Sequence, residues 1–258
     1  MKTVLITGAT GAIGNAIATN MAQKEYRIIL VARNETKANQ LIDRLKKETG
    51  NSHISFLLAD LSRKQEVASI ADHWTEPVDV LINNAAVTPR NREETPEGIE
   101  MQFATNVLGY FWMIQYFLPH LKKAVTSRIV NVASYWAGNL DINDLEFKRR
   151  QYNNDTAYRQ SKQADRMLTV AFAEKVKESN ITINACHPGD VRSVLASNLG
   201  YGGHESPEQG AATPVWLATS AEVEGIKGKY FEHMKETVCQ FSHNKKAIDT
   251  LFNICNSF

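Results

Sequence analysis

Tyr158 and Lys162 stand four residues apart, a spacing that puts both side chains on one face of a helix. A phenol beside an ammonium can give and take a proton. Free tyrosine titrates near about 10, too high for a base at neutral pH, and lowering it by about 3 units takes roughly 4 kcal/mol of differential stabilisation. One exposed lysine does not supply that; a partly desolvated pair beside a further cation can. Ser134 closes the apolar run Ile129–Ser134 and brings a hydroxyl that can donate to an oxygen where negative charge develops. A tyrosine and a lysine at this spacing are common on helices, so the pair acquires meaning only from what surrounds it.

What surrounds it is a glycine-rich turn at the start of the chain. Thr7-Gly8-Ala9-Thr10-Gly11-Ala12-Ile13-Gly14 follows the apolar run Lys2–Thr7 and opens a helical pattern. Gly8 permits the tight turn, Gly11 lets backbone approach a pyrophosphate, and Gly14 lets the helix pack on the strand; the helix N-terminus then offers free N–H groups to the anion. The second apolar run ends in Ala32-Arg33-Asn34, with no acidic residue to hold a ribose 2′-hydroxyl. An arginine there suits a 2′-phosphate, so NADP(H) is preferred over NAD(H). Asp60 ends the third run and is placed to accept from an adenine amino group or to cap the helix that follows. With hydride carried by a nicotinamide ring, Tyr158 and Ser134 have the chemistry of carbonyl reduction or alcohol oxidation.

The elements that must position these groups alternate along the chain. Lys2–Thr7, Arg27–Ala32, Ile54–Ala59, Val78–Asn83, Arg128–Ala133 and Ile181–Cys186 read as buried strands, rich in β-branched residues and leucine, with Gly228–Phe231 as a short last strand. Helical patterns lie near 12–24, 35–48, 63–74, 97–118, 156–178, 206–219 and 243–255, with Ser62 and Ser206 as N-caps. This order predicts one α/β domain over 1–258, a doubly wound parallel Rossmann-type sheet with helices on both faces. The irregular stretches 135–155 and 190–204 follow strands and are the expected wall and lid of a substrate pocket. Composition agrees: 258 residues, 43% hydrophobic, 22% charged, net charge +1. That balance gives no reason to expect a nucleic-acid partner. Cys186, Cys239 and Cys255 show no metal-ligand or disulfide spacing, so no metal is expected. No membrane anchor is visible, and a cytoplasmic protein is expected.

The same residues carry a resemblance. The glycine turn, Asp60-Leu61, Asn83-Asn84-Ala85-Ala86, Asn106, Ser134, the Tyr-x-x-x-Lys of Tyr158 and Lys162, and His187-Pro188-Gly189 stand in the order found in short-chain dehydrogenases/reductases. Val31-Ala32-Arg33-Asn34, the Tyr-x-x-Ser-Lys form, Val191 and Ser193, and Gly228-Lys229-Tyr230-Phe231 resemble the retinol-dehydrogenase-like branch. The resemblance implies that Asn106 joins a proton relay through water to Lys162, that Lys162 also bonds the nicotinamide ribose, and that Val191 and Ser193 contact the carboxamide and phosphates. Tyr158, Lys162, Val191 and Ser193, with Gly8, Thr10, Gly11, Ala12, Ile13, Gly14, Arg33, Asn34, Asp60, Leu61, Asn83, Ala85, Pro188 and Gly189, make up the expected cofactor site. It also implies a bulky apolar aldehyde, ketone or alcohol as substrate, and a possible homo-oligomer. Two departures stand out: Ala12 where the family's Thr-Gly-x-x-x-Gly-x-Gly has its middle glycine, and Ala86 where Asn-Asn-Ala-Gly has its last. Asn106 also reads as an ordinary buried amide, and His187 as part of a structural turn. A non-catalytic dinucleotide sensor or scaffold and a carbon–carbon double-bond reductase are the alternative functions; a sensor typically lacks the Tyr or Lys that this chain retains.

Overall fold

Strand β1 (Thr3–Thr7) is buried at every position, and β2 (Arg27–Ala32) is buried through its centre. Both are short, continuous apolar runs, which suits strands covered on two faces. In the computed structural model, which describes residues 1–258, they join β3 (Ile54–Leu58), β4 (Val80–Asn83), β5 (Ser127–Val132), β6 (Ile181–His187), β7 (Tyr230–Glu232) and β8 (Lys235–Thr237) in one sheet of order β3-β2-β1-β4-β5-β6-β7-β8. Pairing is parallel through β7, and only β8 runs antiparallel. The doubly wound Rossmann-type sheet expected from the sequence is therefore present. The chain's direction across the sheet reverses between β1 and β4, which opens a crevice beyond their carboxyl ends.

Helices cover both faces. On one side α1 (Ala12–Gln23) packs against α2 (Glu35–Thr49) and α7 (Pro207–Thr219). On the other, α3 (Lys64–Asp72) packs on α4 (Gly109–Leu121), and α5 (Asn154–Lys175) on α8 (Lys245–Ser257). Each face has its own apolar core. Ile17, Met21 and Val215 lie on the first, and Phe111, Phe172 and Leu251 on the second. No helix is long and apolar enough to cross a membrane.

Local chemistry fixes several boundaries. Ser206 caps α7 through a capping box with Gln209, and Pro207 occupies the first turn, as the sequence suggests. Ser62 does not cap α3: Arg63 holds that position with no side-chain bond, and the Ser62 N–H and hydroxyl donate to Asp60 Oδ1 at 2.9 and 2.8 Å. The carboxylate two residues earlier competes successfully for the serine. The helix expected over 97–118 begins later and contains a π-helical segment, Phe103–Leu108, before α4. Within 190–204 the chain forms a short helix, α6 (Val194–Asn198), capped by Ser193. The final strand is part of a hairpin, turned by His233 and Met234 at φ 48° and 60°. Polar Lys235-Glu236-Thr237 gives no periodic signal for β8.

Candidate active site

Gly8 follows β1 directly, and its φ of 66° lies in the left-handed region. A Cβ there would meet Ala85 Cα at 2.6 Å. A Cβ on Gly14 would run into the Gly8 carbonyl and sit 2.8 Å from Ala9 Cα, so this glycine is what lets α1 close onto the loop. Gly11 is different: the nearest atom to its absent Cβ is the Gly8 carbonyl oxygen, 3.4 Å away, and the position opens outward. Gly11 is the N-cap of α1 and makes no side-chain cap, and Ala12 and Ile13 follow in the first turn. Open space above Gly11 and an uncapped helix start form a cradle that fits an anionic dinucleotide. Asn84 pins this loop by donating from Nδ2 to the Thr7 and Gly8 carbonyls at 3.0 and 3.2 Å. Thr10 is exposed on the same turn.

Arg33 is exposed at the end of β2, beside the loop that follows the paired β1. Asn34 uses its side chain to cap α2, accepting from the Lys37 N–H at 2.9 Å, and the residue stays exposed. Asp60 lies beyond β3 with Oδ1 engaged by Ser62, while Leu61 is buried against Gly109. Asn83 is fully buried inside the sheet and donates to Asn131 Oδ1 at 2.9 Å. Its amide thus belongs to the sheet interior, and Ala85 is the part of that motif which reaches the glycine loop.

Ser134 follows β5, and Tyr158 and Lys162 lie in the first half of α5. Ser134 and Tyr158 line one cleft of about 180 Å³ together with Ile13, Trp136, Pro188 and Val191. The loop carrying Gly189 and Ser193 closes its far side, and Ser193 Oγ accepts from the Ala196 N–H at 3.1 Å to cap α6. Trp136 and Tyr201 meet with ring centroids 3.8 Å apart, joining the 135–155 and 190–204 stretches across the mouth. Lys162 lies below the cleft, 2% exposed, with Nζ 6.0 Å from the Tyr158 ring centroid and 4.8 Å from that of Tyr110. It donates to the Val132 carbonyl at 2.9 Å and pairs with Asp165 Oδ2 at 2.9 Å.

That pairing changes the electrostatics expected from the sequence. Burial pushes the Tyr158 hydroxyl well above the usual tyrosine range; its interaction with Ser134 pulls it down, and the charges of Asp165 and Asp190 push it further up. Asp165 opposes the lysine's field at the phenol, and in the protein alone Tyr158 is a protonated donor. Burial also raises the Asp165 carboxyl, against the pull of Lys162.

Asn106 lies in the π-helical segment, a distortion often found near functional sites. Its amide clamps Val87, accepting from the N–H at 2.8 Å and donating to the carbonyl at 3.0 Å, and it makes no direct bond to Lys162. His187 lines the cleft with its ring 4.4 Å from that of Tyr135, and burial lowers its pKa to about 4. It is neutral at pH 7. Asp165 and Asp190 were not singled out by sequence reasoning. The first reads as one more charge on a helix, and the second as a loop residue.

A family model described as short chain dehydrogenase matches residues 2–201. Retinol dehydrogenase 13 of Homo sapiens is 35% identical over 255 residues, covering 91% of this chain and 77% of that protein. Retinol dehydrogenase 12 of Mus musculus is 30% identical over 268 residues, covering 98% and 84%. Among solved structures, an uncharacterized protein from Mycobacterium paratuberculosis has a TM-score of 0.84 at 23% identity, over all of this chain and 92% of its own. An actinorhodin polyketide ketoreductase variant solved with NADPH has a TM-score of 0.70 at 22% identity, over 94% and 97%.

Proposed function

This chain belongs to the short-chain dehydrogenase/reductase family, in its retinol-dehydrogenase-like branch, and from that membership we propose that it is an NADP(H)-dependent oxidoreductase acting on a carbonyl or alcohol carbon. The observation that carries the reading is the shared cleft of Ser134 and Tyr158 with Lys162 buried beneath it. Hydride is what a bound nicotinamide supplies or accepts. The chain must do the rest: hold the dinucleotide, orient the substrate oxygen and handle its proton.

Gly8, Thr10, Gly11, Ala12, Ile13, Gly14 and Ala85 would hold a diphosphate at the start of α1. Arg33 and Asn34 would hold the adenosine end, and Arg33 would supply donors for a 2′-phosphate. Asp60 and Leu61 would serve the base, and Pro188, Gly189, Val191 and Ser193 the nicotinamide. In reduction Tyr158 gives its proton to the substrate oxygen while Ser134 donates a hydrogen bond to the same atom. In oxidation Tyr158 must first lose that proton, which its surroundings oppose until more positive charge enters the cleft. Lys162, fixed by the Val132 carbonyl and Asp165, holds its ammonium below the phenol. Asn106 serves by holding Val87 and the π-helical segment against α5. The apolar wall from Leu195 and Leu199, with the ring of Trp136, suits a bulky, largely apolar substrate body.

Titration with NADPH and NADH, followed by nicotinamide fluorescence, tests the cofactor reading; a panel of aldehydes, ketones and quinones then tests the reaction. Substrate-dependent oxidation of NADPH supports the proposal. Binding of neither nucleotide defeats it. Reduction of an enone only at its carbon–carbon double bond would transfer the site to a different reaction.

A further inference from the structure

The cleft over Tyr158 carries a charge that the proposed reaction does not use. Asp190 lines it, and no lysine or arginine does. Arg192, two residues on, is exposed and outside the lining. Asp190 takes part in none of the chain's ion pairs. Its carboxylate accepts one side-chain hydrogen bond, from the Tyr135 hydroxyl to Oδ2 at 3.1 Å. It lies close enough to the reacting phenol for its charge to act on Tyr158. His187, the imidazole beneath, is held neutral by burial and cannot cancel it. Across the mouth stand the rings of Trp136 and Tyr201.

A carboxylate and aromatic rings lining one cleft is the chemistry that recognises ammonium groups: the charge attracts the cation and the rings tolerate its apolar substituents. A wholly neutral substrate filling this cleft would strip water from Asp190 and return nothing for it. A substrate with a cation there would pair the charge as it is desolvated. We propose that Asp190 makes the cleft selective for carbonyl or alcohol substrates that carry a protonated or quaternary amine on an otherwise apolar body. The inference rests on the reading of Tyr158 and Ser134 as the groups that meet the substrate oxygen in this cleft.

Two isosteric aldehydes differing only in charge test it: para-trimethylammonio-benzaldehyde and para-tert-butylbenzaldehyde, each with NADPH. The wild type is expected to favour the cation by at least about tenfold in kcat/KM, a difference of about 1.4 kcal/mol. The ratio should fall toward one in Asp190→Asn, which can keep the Tyr135 hydrogen bond, and persist in Asp190→Glu. It should also shrink as salt rises. Equal kcat/KM for the two in the wild type, or a preference that survives in Asp190→Asn, overturns the inference. Isothermal titration of the two corresponding benzyl alcohols into the protein reads the same selectivity without turnover. About tenfold tighter binding of the cationic alcohol, lost in Asp190→Asn, supports the inference even if neither aldehyde is reduced, in which case only the proposed reaction fails. Equal binding overturns it.

Discussion

Replacing the buried pair beneath Tyr158 separates what the fold needs from what the chemistry needs. Lys162 and Asp165 are 2% and 0% exposed and meet at 2.9 Å. Asp165 Oδ1 has no hydrogen-bond partner, and burial raises this carboxyl even with the ammonium beside it. The cost of desolvating two buried charges generally equals or exceeds their mutual attraction, so such a pair adds little or nothing to the stability of a fold. Removing one partner leaves the other charge buried alone, so Asp165→Leu and Lys162→Met are each expected to lose about 3–5 kcal/mol. The double variant removes both charges and is expected to be neutral or more stable by about 1–4 kcal/mol. Urea unfolding of the four proteins at pH 7 gives the coupling directly. The double variant should still bind NADPH in part, through the glycine loop, yet lose most turnover. A double variant as unstable as the two single losses added together would refute the reasoning, as would full turnover in that variant.

Three further outcomes follow from single sites. Arg33→Ala is expected to weaken NADPH binding about 10- to 100-fold, the scale of charge-assisted hydrogen bonds, and to leave NADH nearly unchanged; nicotinamide fluorescence titration checks both, and equal losses would make Arg33 an ordinary surface residue. Gly14→Ala drives a methyl group into the backbone of Gly8 and Ala9, so it should cost about 1–3 kcal/mol of stability and at least about tenfold in dinucleotide affinity. Glu100 is buried and burial pushes its carboxyl up from 4.5 to about 7. The folded state then holds this proton more tightly than the unfolded chain. The resulting stabilisation is complete below about pH 4.5 and is lost as pH rises to about 7, an effect of up to roughly 3 kcal/mol. Glu100→Gln should flatten that part of a stability–pH curve measured by urea unfolding, and an unchanged slope would show that Glu100 does not titrate in this window.

Much of this was legible in the sequence because the signals are local. Apolar runs between glycine, asparagine and aspartate mark six parallel strands, and strand ends place Gly8, Ser134 and Pro188 at the carboxyl end of the sheet. Tyr158 and Lys162 share a helix face whatever the tertiary structure. What was hidden depends on contacts between distant segments. Asp165 three residues after Lys162 looks like a solvated helix pair, and only its burial under β5 makes it an internal counter-ion. Asn83 looks like its neighbour Asn84, yet one faces the sheet interior and the other ties down the glycine loop. Ser62 carries a good capping side chain but Asp60 engages it first. The hairpin of β7 and β8 turns on two residues, His233 and Met234, that rarely adopt left-handed backbone. Asp190 acquires meaning only once the cleft is seen to hold no lysine or arginine.

Exchanging Tyr158 for phenylalanine tests the central claim most directly, because it removes one oxygen from a buried ring and little else. NADPH oxidation driven by a reducible aldehyde should fall by at least about 10²-fold, the usual scale for a lost general acid. NADPH affinity, followed by nicotinamide fluorescence in the same preparation, should stay within about threefold, a change below roughly 0.7 kcal/mol. Turnover close to wild type in Tyr158→Phe would contradict the account and move the proton donor elsewhere in the cleft.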